Sequence, residues 1–285
     1  MKPASFAYYA PASVDAAIAL LQRYDGDARV LAGGQSLIPM MNFRLAAPPA
    51  LVDINRVPGL AYIEADGDVV RIGAMTRQRA IEFSLVVAEK LPLLREAICH
   101  VGHLPTRSRG TIGGSIAHAD PAAELPMVLQ ALEGEVLARG PNGERRIKAA
   151  DLIRDALTTS LKAVEIITEV RLPAMPPGAG YAVEEFSRRH GDFAIAAIAV
   201  MLVRDGSRCG KARIATAGIS SHSIRLPAAE QILEDNGLSE TVLEQAAAKA
   251  AESVEPIADQ NASAEYRRQL TRVLTHRALR RAAGI

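Results

Sequence analysis

The chain has 285 residues and a formal net charge of +1, so it carries no broad basic field for holding nucleic acid or an anionic membrane. Its length allows two or three compact domains, and a composition of 49% hydrophobic, 23% charged and 4% aromatic residues is typical of a globular protein with an aliphatic core. The first residues lack the apolar stretch of a signal peptide, and the uncharged run Phe193–Val203 is too short to cross a bilayer, so we expect a cytoplasmic protein.

The N-terminal residues predict a small α/β lobe, with limits at 1–57. Ser13 is placed to cap a helix that runs to about Tyr24, since apolar residues recur behind it at helical spacing. A short strand at 29–32 leads into a diglycine sequence. A helical segment from Ser36 to about Leu45 and a strand at 51–54 complete the lobe.

A second lobe is predicted at 58–176, where strands alternate with helices. Asp66-Gly67-Asp68 and Pro141-Asn142-Gly143 each indicate a hairpin turn. The predicted strands lie at 61–64, 69–72, 135–139, 145–148 and 165–172, and the predicted helices at 76–83, 91–101 and 124–132.

The third part, 177–285, follows a proline- and glycine-rich linker at 173–178. Strands are predicted at 181–187, 194–204 and 212–218, with helices that begin near Pro227, Ser239 and Ala262. Long strands followed by helices indicate an α+β domain with a three-stranded antiparallel sheet.

Two diglycine segments are the most informative motifs. The first is Leu31-Ala32-Gly33-Gly34-Gln35-Ser36-Leu37 and the second is Thr111-Ile112-Gly113-Gly114-Ser115-Ile116. Glycine lets backbone N–H groups approach a phosphate, and the adjacent hydroxyls can donate to phosphate oxygens. A single diglycine is more often only a tight turn, but two such segments indicate an extended ligand with two phosphates, such as a dinucleotide.

Neither segment matches a common nucleotide signature. G-x-G-x-x-G and the Lys-Ser/Thr ending of a P-loop are both absent, which argues against a Rossmann site and against nucleoside triphosphate chemistry. Because neither segment contains a cation, backbone N–H groups and helix N-termini would balance the phosphate charge. Arg107 and Arg109 could assist at longer range, or could be ordinary surface residues.

The sequence His118-Ala119-Asp120-Pro121-Ala122-Ala123-Glu124 supplies two carboxylates after the second segment. Asp120 before a proline suits a helix N-cap, whereas Glu124 is the better candidate for a ligand contact. His100, His103 and His118 are interpreted as hydrogen-bonded structural histidines.

The two cysteines, Cys99 and Cys209, are too few for an iron–sulfur cluster, and a disulfide between them is not expected in a reducing compartment. The histidines lack the spacing of a zinc site. We therefore predict that this chain holds no metal.

Three stretches together resemble a known family. They are Ala32–Ser36, Arg109–Pro121 and Arg188-Arg189-His190-Gly191-Asp192-Phe193-Ala194, and they are similar to the FAD-binding medium subunit of molybdenum hydroxylases of the aerobic carbon monoxide dehydrogenase and xanthine dehydrogenase type. The resemblance covers essentially the whole chain. It implies the FAD-binding fold of p-cresol methylhydroxylase and vanillyl-alcohol oxidase, with two α/β lobes, followed by a C-terminal α+β domain.

The resemblance also implies the site residues. By similarity, the two diglycine segments hold the pyrophosphate region of FAD, Val101 and Ile167 flank the isoalloxazine ring, and Glu124 and Asp192 lie near the cofactor. Some family members carry a lysine where this chain has Glu184-Glu185, so the polar contact to the ring is expected to differ. The implied cofactor-binding set is Ala32, Gly33, Gly34, Gln35, Ser36, Leu37, Val101, Thr111, Gly113, Gly114, Ser115, Glu124, Ile167 and Asp192.

The implied function is electron transfer. In the family, molybdopterin lies on a large subunit and two [2Fe-2S] clusters lie on a small subunit, and FAD passes their electrons to an external acceptor, in an assembly expected to be a dimer of heterotrimers. No residue of this chain is then needed as a catalytic acid or base. The alternatives are a self-contained flavin oxidase of the same fold and a non-enzymatic protein that kept the fold without FAD. Neither the substrate nor the acceptor follows from the sequence.

Overall fold

The computed structural model describes residues 2–206 and 208–285. Its first part is a parallel sheet with strand order β1-β3-β2, in which Leu31 pairs with Asp53. Ser13 caps the first helix as predicted, with its Oγ accepting from Ala16 N at 3.1 Å. Strand β1 was not predicted, because three residues are too few to show alternation. The elements are β1 Ala7–Tyr9, α1 Val14–Arg23, β2 Arg29–Leu31, α2 Leu37–Asn42 and β3 Ala50–Asp53.

The second part is a five-stranded sheet with order β4-β5-β10-β6-β7 and antiparallel neighbours. Short helices cover it, and a small hairpin, β8-β9, lies beside it. Its elements are β4 Ile63–Asp66, β5 Val69–Gly73, α3 Gln78–Phe83, α4 Leu85–Lys90, α5 Pro92–Ile98, α6 Leu104–Arg109, α7 Ile112–His118, α8 Glu124–Ala131, β6 Glu135–Gly140, β7 Gly143–Lys148, α9 Ala149–Leu152, β8 Ile153–Asp155, β9 Thr158–Thr159 and β10 Ile166–Pro173.

The predicted strands of this second part are present, but its helices are more numerous and shorter than predicted. The helix expected at 91–101 ends at Ile98, and α4, α6 and α7 were not predicted. Each of these has only six or seven residues, which is too short to show a helical period.

The third part contains an antiparallel sheet of order β11-β12-β13-β14 and three helices. The prediction of three strands missed β14, which has two residues paired with Ala215 and Thr216. The elements are β11 Gly180–Phe186, β12 Ala196–Asp205, β13 Arg208–Ala217, β14 Ile224–Arg225, α10 Pro227–Asn236, α11 Glu240–Glu252 and α12 Ala264–Ala283.

Strand β12 shows how this sheet is held between two cores. Ala196, Ile198 and Val200 pack with the helices of the third part, whereas Ala197 and Ala199 pack with the core of the second part. This alternation follows from the two-residue period of a strand. It explains the continuous apolar run 193–203, which the sequence analysis assigned to a buried strand.

Candidate functional site

The first diglycine segment, residues 31–37, connects β2 to α2. Gly34 has φ of +71°, a left-handed conformation that glycine adopts without strain. Within residues 2–206 and 208–285, no group accepts a hydrogen bond from the backbone N–H of residues 33–37. These residues are half-buried or exposed, so their N–H groups form a row of donors open to a ligand.

No helix was predicted for the second diglycine segment, 111–116, but most of it forms the start of helix α7. Its N–H groups are largely used within the protein. Gly113 N donates to the Ala74 carbonyl at 2.9 Å, and Gly114 N donates to the capping hydroxyl of Thr111 at 3.2 Å. The second segment therefore does not offer a row of free amides; Thr111 is buried and its hydroxyl caps α7, whereas Ser115 is half-buried.

The two segments lie in direct contact. A Cβ placed on Gly33 would lie 2.8 Å from Gly110 Cα, and one placed on Gly114 would lie 3.5 Å from the Ala32 Cβ. Position 33 must therefore be glycine, because the backbone of Gly110 lies where a side chain of residue 33 would be. Residues that are distant in sequence, and that belong to the first and second sheets, form one surface.

The two arginines before the second segment have different surroundings. Arg107 donates from Nε to Glu82 Oε2 at 3.0 Å and from Nη1 to the Val101 carbonyl at 3.1 Å, so it is a structural residue. Arg109 is exposed and lies next to the contact between the segments. Of the two, only Arg109 is available to an anion at this surface.

Glu124 begins helix α8 and is 7% exposed. Burial raises the pKa of its carboxyl to about 7. Asp120 was predicted to cap this helix, and that was wrong: its Oδ1 accepts from Ala122 N at 2.9 Å in the preceding turn, and Ala123 stands at the N-cap. The cap prediction failed because α8 begins three residues beyond Pro121 rather than at it.

The adjacent acids Glu184 and Glu185 have separate environments. Glu184 is paired with Arg281 at 2.6 Å. Glu185 has a buried Oε2 without a hydrogen-bond partner among the described residues, and burial, followed by the charge of Glu124, raises its pKa to about 8. The structure therefore brings together two acids with raised pKa values, so that near neutral pH Glu124 is partly protonated and Glu185 is mostly protonated.

The remaining predicted site residues are divided between core and surface. Val101 and Ile167 are 9% and 5% exposed and belong to the same buried apolar cluster. Asp192 is half-buried and accepts from Arg189 Nε at 3.1 Å. The preceding residue, Gly191, lies against the ring of His103 and so contacts the second part of the chain.

Three potential metal ligands lie in the third part, away from both segments. The ligand atoms of Glu240, Glu244 and His276 lie within 4.8 Å of one another. Glu240 is already engaged by His276 at 3.0 Å and by Arg280 at 3.3 Å. The nearby guanidinium opposes a cation at this position.

Two polar residues that the sequence analysis did not select also contact the site. Asn55 donates to the Ala32 carbonyl at 2.8 Å, and Arg77 donates to the Arg109 carbonyl. A signal for the first was present in Asp53-Ile54-Asn55, since polar residues that follow a parallel strand collect at the sheet edge where ligands bind. No pattern marked Arg77.

None of the helices within the described ranges combines the length and apolar character that a bilayer crossing requires.

Comparison with known proteins matches both parts of the chain. Residues 4–175 match the family of FAD binding domains in molybdopterin dehydrogenase, and residues 181–282 match the carbon monoxide dehydrogenase flavoprotein C-terminal domain. Two relatives from Paenarthrobacter nicotinovorans are similar over nearly their full lengths. The 6-hydroxypseudooxynicotine dehydrogenase complex subunit alpha is 44% identical, with 99% of this chain and 96% of the relative covered, and the nicotine 6-hydroxylase medium subunit is 43% identical, with 98% of each covered.

A solved structure of carbon monoxide dehydrogenase from Hydrogenophaga pseudoflava superposes with a TM-score of 0.98 at 38% identity, covering 100% of this chain and 99% of the other. The predicted family and fold class are confirmed, and so is the prediction of an FAD-binding oxidoreductase subunit. The chain belongs to the family of FAD-binding medium subunits of molybdenum hydroxylases.

Proposed function

We propose that this chain is the electron-transfer subunit of a multi-subunit molybdenum hydroxylase. FAD, when bound, supplies the redox chemistry between the [2Fe-2S] clusters of a small subunit and an external acceptor. The protein supplies binding, orientation and exclusion of water.

The row of free N–H groups at residues 33–37 is the observation that carries the proposal. Unpaired backbone donors that are aimed at a ligand can neutralise a diphosphate without a cationic side chain. The contact of Gly33 with the backbone at Gly110 brings the start of α7, with the half-buried Ser115, next to the same surface. The residues present therefore fit a dinucleotide bound through its diphosphate.

We assign further contacts by the same reasoning. Val101 and Ile167 supply apolar surface for the isoalloxazine ring, and Asp192 lies near the cofactor. Glu124, whose pKa is raised to about 7, can in its protonated form donate a hydrogen bond that an ionised carboxylate could not. The proposed set is Ala32, Gly33, Gly34, Gln35, Ser36, Leu37, Val101, Thr111, Gly113, Gly114, Ser115, Glu124, Ile167 and Asp192.

The proposed partners follow from what this chain lacks and from its relatives. With two cysteines it cannot ligate the iron–sulfur clusters, so these and the molybdopterin belong to a small and a large partner subunit. We propose a cytoplasmic dimer of heterotrimers. We also take 1–57, 58–176 and 177–285 as the two FAD-binding lobes and the C-terminal domain.

Titration of the full-length chain with FAD tests the proposal. We expect stoichiometric binding with a flavin absorbance spectrum, and no flavin reduction when an N-heterocycle or aldehyde is added to this chain alone. Substrate-dependent reduction by the isolated chain would instead favour the self-contained oxidase, and absence of FAD binding would refute both.

The same titration of the Gly33→Val variant tests the role of the first diglycine segment. A side chain at this position meets the backbone at Gly110, so it separates the two segments, and we expect FAD affinity to fall by more than about tenfold. Gly210→Ala is the control, because a Cβ there meets the Asp205 side chain only at 3.4 Å and far from the site. Normal binding by Gly33→Val would mean that the first segment is only a turn.

A further inference from the structure

A chain of hydrogen bonds begins on the first sheet, behind the diglycine segments. The Tyr8 hydroxyl donates to Asp53 Oδ2 at 2.6 Å. The other oxygen, Asp53 Oδ1, accepts from the backbone N of Asn55 at 2.8 Å and from its Nδ2 at 2.6 Å. These bonds fix the orientation of the Asn55 side-chain amide.

The Asn55 amide carries the chain to the first diglycine segment and to the second sheet. Its Nδ2 also donates to the Ala32 carbonyl at 2.8 Å, and its Oδ1 accepts from Arg77 Nη2 at 2.6 Å. Both Nδ2 hydrogens and one lone pair of Oδ1 are thus used, which leaves the amide no alternative orientation.

Arg77 completes the connection on the side of the second segment. Its Nη1 donates to the Arg109 carbonyl, and its backbone forms an isolated bridge with Thr111. Burial, followed by repulsion from Arg109, lowers the pKa of Arg77, whereas Asp53 opposes that shift. The guanidinium remains charged, so both of its hydrogen bonds are charge-assisted.

The bond to the Ala32 carbonyl has a geometric consequence. In a planar trans peptide the carbonyl and the following N–H point in opposite directions. The Ala32 carbonyl is held toward Asn55, so the Gly33 N–H is directed away from Asn55. That N–H is the first of the free donors at residues 33–37.

We propose that Asn55 and Arg77 are positioning residues for the diphosphate of FAD. By holding one carbonyl in the first segment and one just before the second, they set the direction of the Gly33 N–H and the spacing of the two segments. Neither side chain needs to touch the phosphates. This inference rests on the proposed function.

The test measures the FAD dissociation constant of the full-length chain and of Asn55→Ala, Arg77→Gln and the double variant. We expect each single variant to weaken binding by about tenfold, because each loses a charge-assisted hydrogen bond. The double variant should be scarcely weaker than either single one, since the two residues act as one unit. Arg79→Gln, which removes the same charge two residues away, is the control and should bind like the wild type.

The two ³¹P resonances of bound FAD separate positioning from general weakening. At saturating FAD we expect them to shift in Arg77→Gln and to remain in place in Arg79→Gln. Unchanged resonances in Arg77→Gln, additive losses in the double variant, or wild-type affinity in both single variants would each overturn the inference. Lack of FAD binding by the wild-type chain would instead refute the proposed function itself.

Discussion

Burial raises the pKa of both Glu124 and Glu185, and a neighbouring acid adds to each shift, Asp120 for Glu124 and Glu124 for Glu185. Among the residues that the structure describes, neither carboxyl forms an ion pair, and Arg281 binds the neighbouring Glu184 instead. The pKa values of about 7 and about 8 both exceed the ordinary carboxyl value of about 4.3. The folded chain therefore holds protons that the unfolded chain releases between these values.

This pair predicts a pH dependence of stability in the FAD-free chain. The contribution of these two acids to stability should be greatest below the unfolded carboxyl pKa and should be lost as the pH rises towards about 8, because folding then opposes ionisation of buried acids. Glu185→Gln removes one titrating group, so its melting temperature should fall less over this range and exceed that of the wild type at the alkaline end. Thermal unfolding followed by circular dichroism across pH measures this.

The control for that experiment is Glu144→Gln, which makes the same substitution at an exposed residue. Parallel melting curves for Glu185→Gln and the wild type at every pH would contradict the expected effect.

At single positions, the sequence identified Gly33 as a candidate site residue but did not indicate the physical reason why glycine is needed there. Gly33 was selected because a phosphate needs space, yet the structure places the backbone of Gly110 where its side chain would point. A close approach between residues 77 positions apart leaves no local signal. Asn55 and Arg77 were missed for the same reason, since their importance lies in which carbonyls they reach.

At the scale of elements, the N-cap of helix α7 lies within the second diglycine segment. The Thr111 hydroxyl accepts from Gly114 N and so begins α7 at the diglycine. No helix was predicted there, because two adjacent glycines disfavour a helix interior. Gly113 is nevertheless needed in the helix, since a Cβ on it would lie 2.8 Å from the Ala74 carbonyl oxygen.

Thr111→Val and Ser13→Ala form a matched pair of cap variants. Each removes a hydroxyl that accepts from a helix N–H, so each should lower the free energy of unfolding by about 1 kcal/mol. Only Thr111→Val should also weaken FAD binding, because α1 lies outside the diglycine surface. Urea unfolding and FAD titration of both variants measure the two effects, and equal losses of FAD affinity would show that the effect of Thr111 is merely one of stability.

At the scale of the whole molecule, the sequence predicted the longer strands and helices in the correct order, because these elements carry clear periodicity. It could not predict how the parts are joined. The sequence of strand β12 is one continuous apolar run. The structure shows that its alternate residues pack in two different apolar cores. The ion pairs between the parts could not be predicted either, because the paired residues are far apart in the sequence.

Glu133 is the main charged contact between the second and third parts. It follows α8 with φ of +52°, and its carboxylate binds Lys211 at 2.9 Å, Arg213 at 3.0 Å and Arg225 at 2.5 Å. Burial alone would raise the pKa of Glu133, but the hydrogen bonds and charges of Lys211 and Arg213 outweigh it and lower the pKa to about 2. The stabilisation is therefore present above the ordinary carboxyl pKa and is lost as the pH falls towards about 2.

Glu133→Gln should accordingly lower the free energy of unfolding at neutral pH by about 1 kcal/mol, a modest value because solvent screens the partly exposed network. The difference from the wild type should shrink on acidification, because the wild-type carboxylate then becomes protonated as well. Urea unfolding at several pH values measures this, with the exposed Glu255→Gln as the charge-matched control. A deficit that stays constant down to acid pH would mean that Glu133 joins the two parts through packing rather than through its charge.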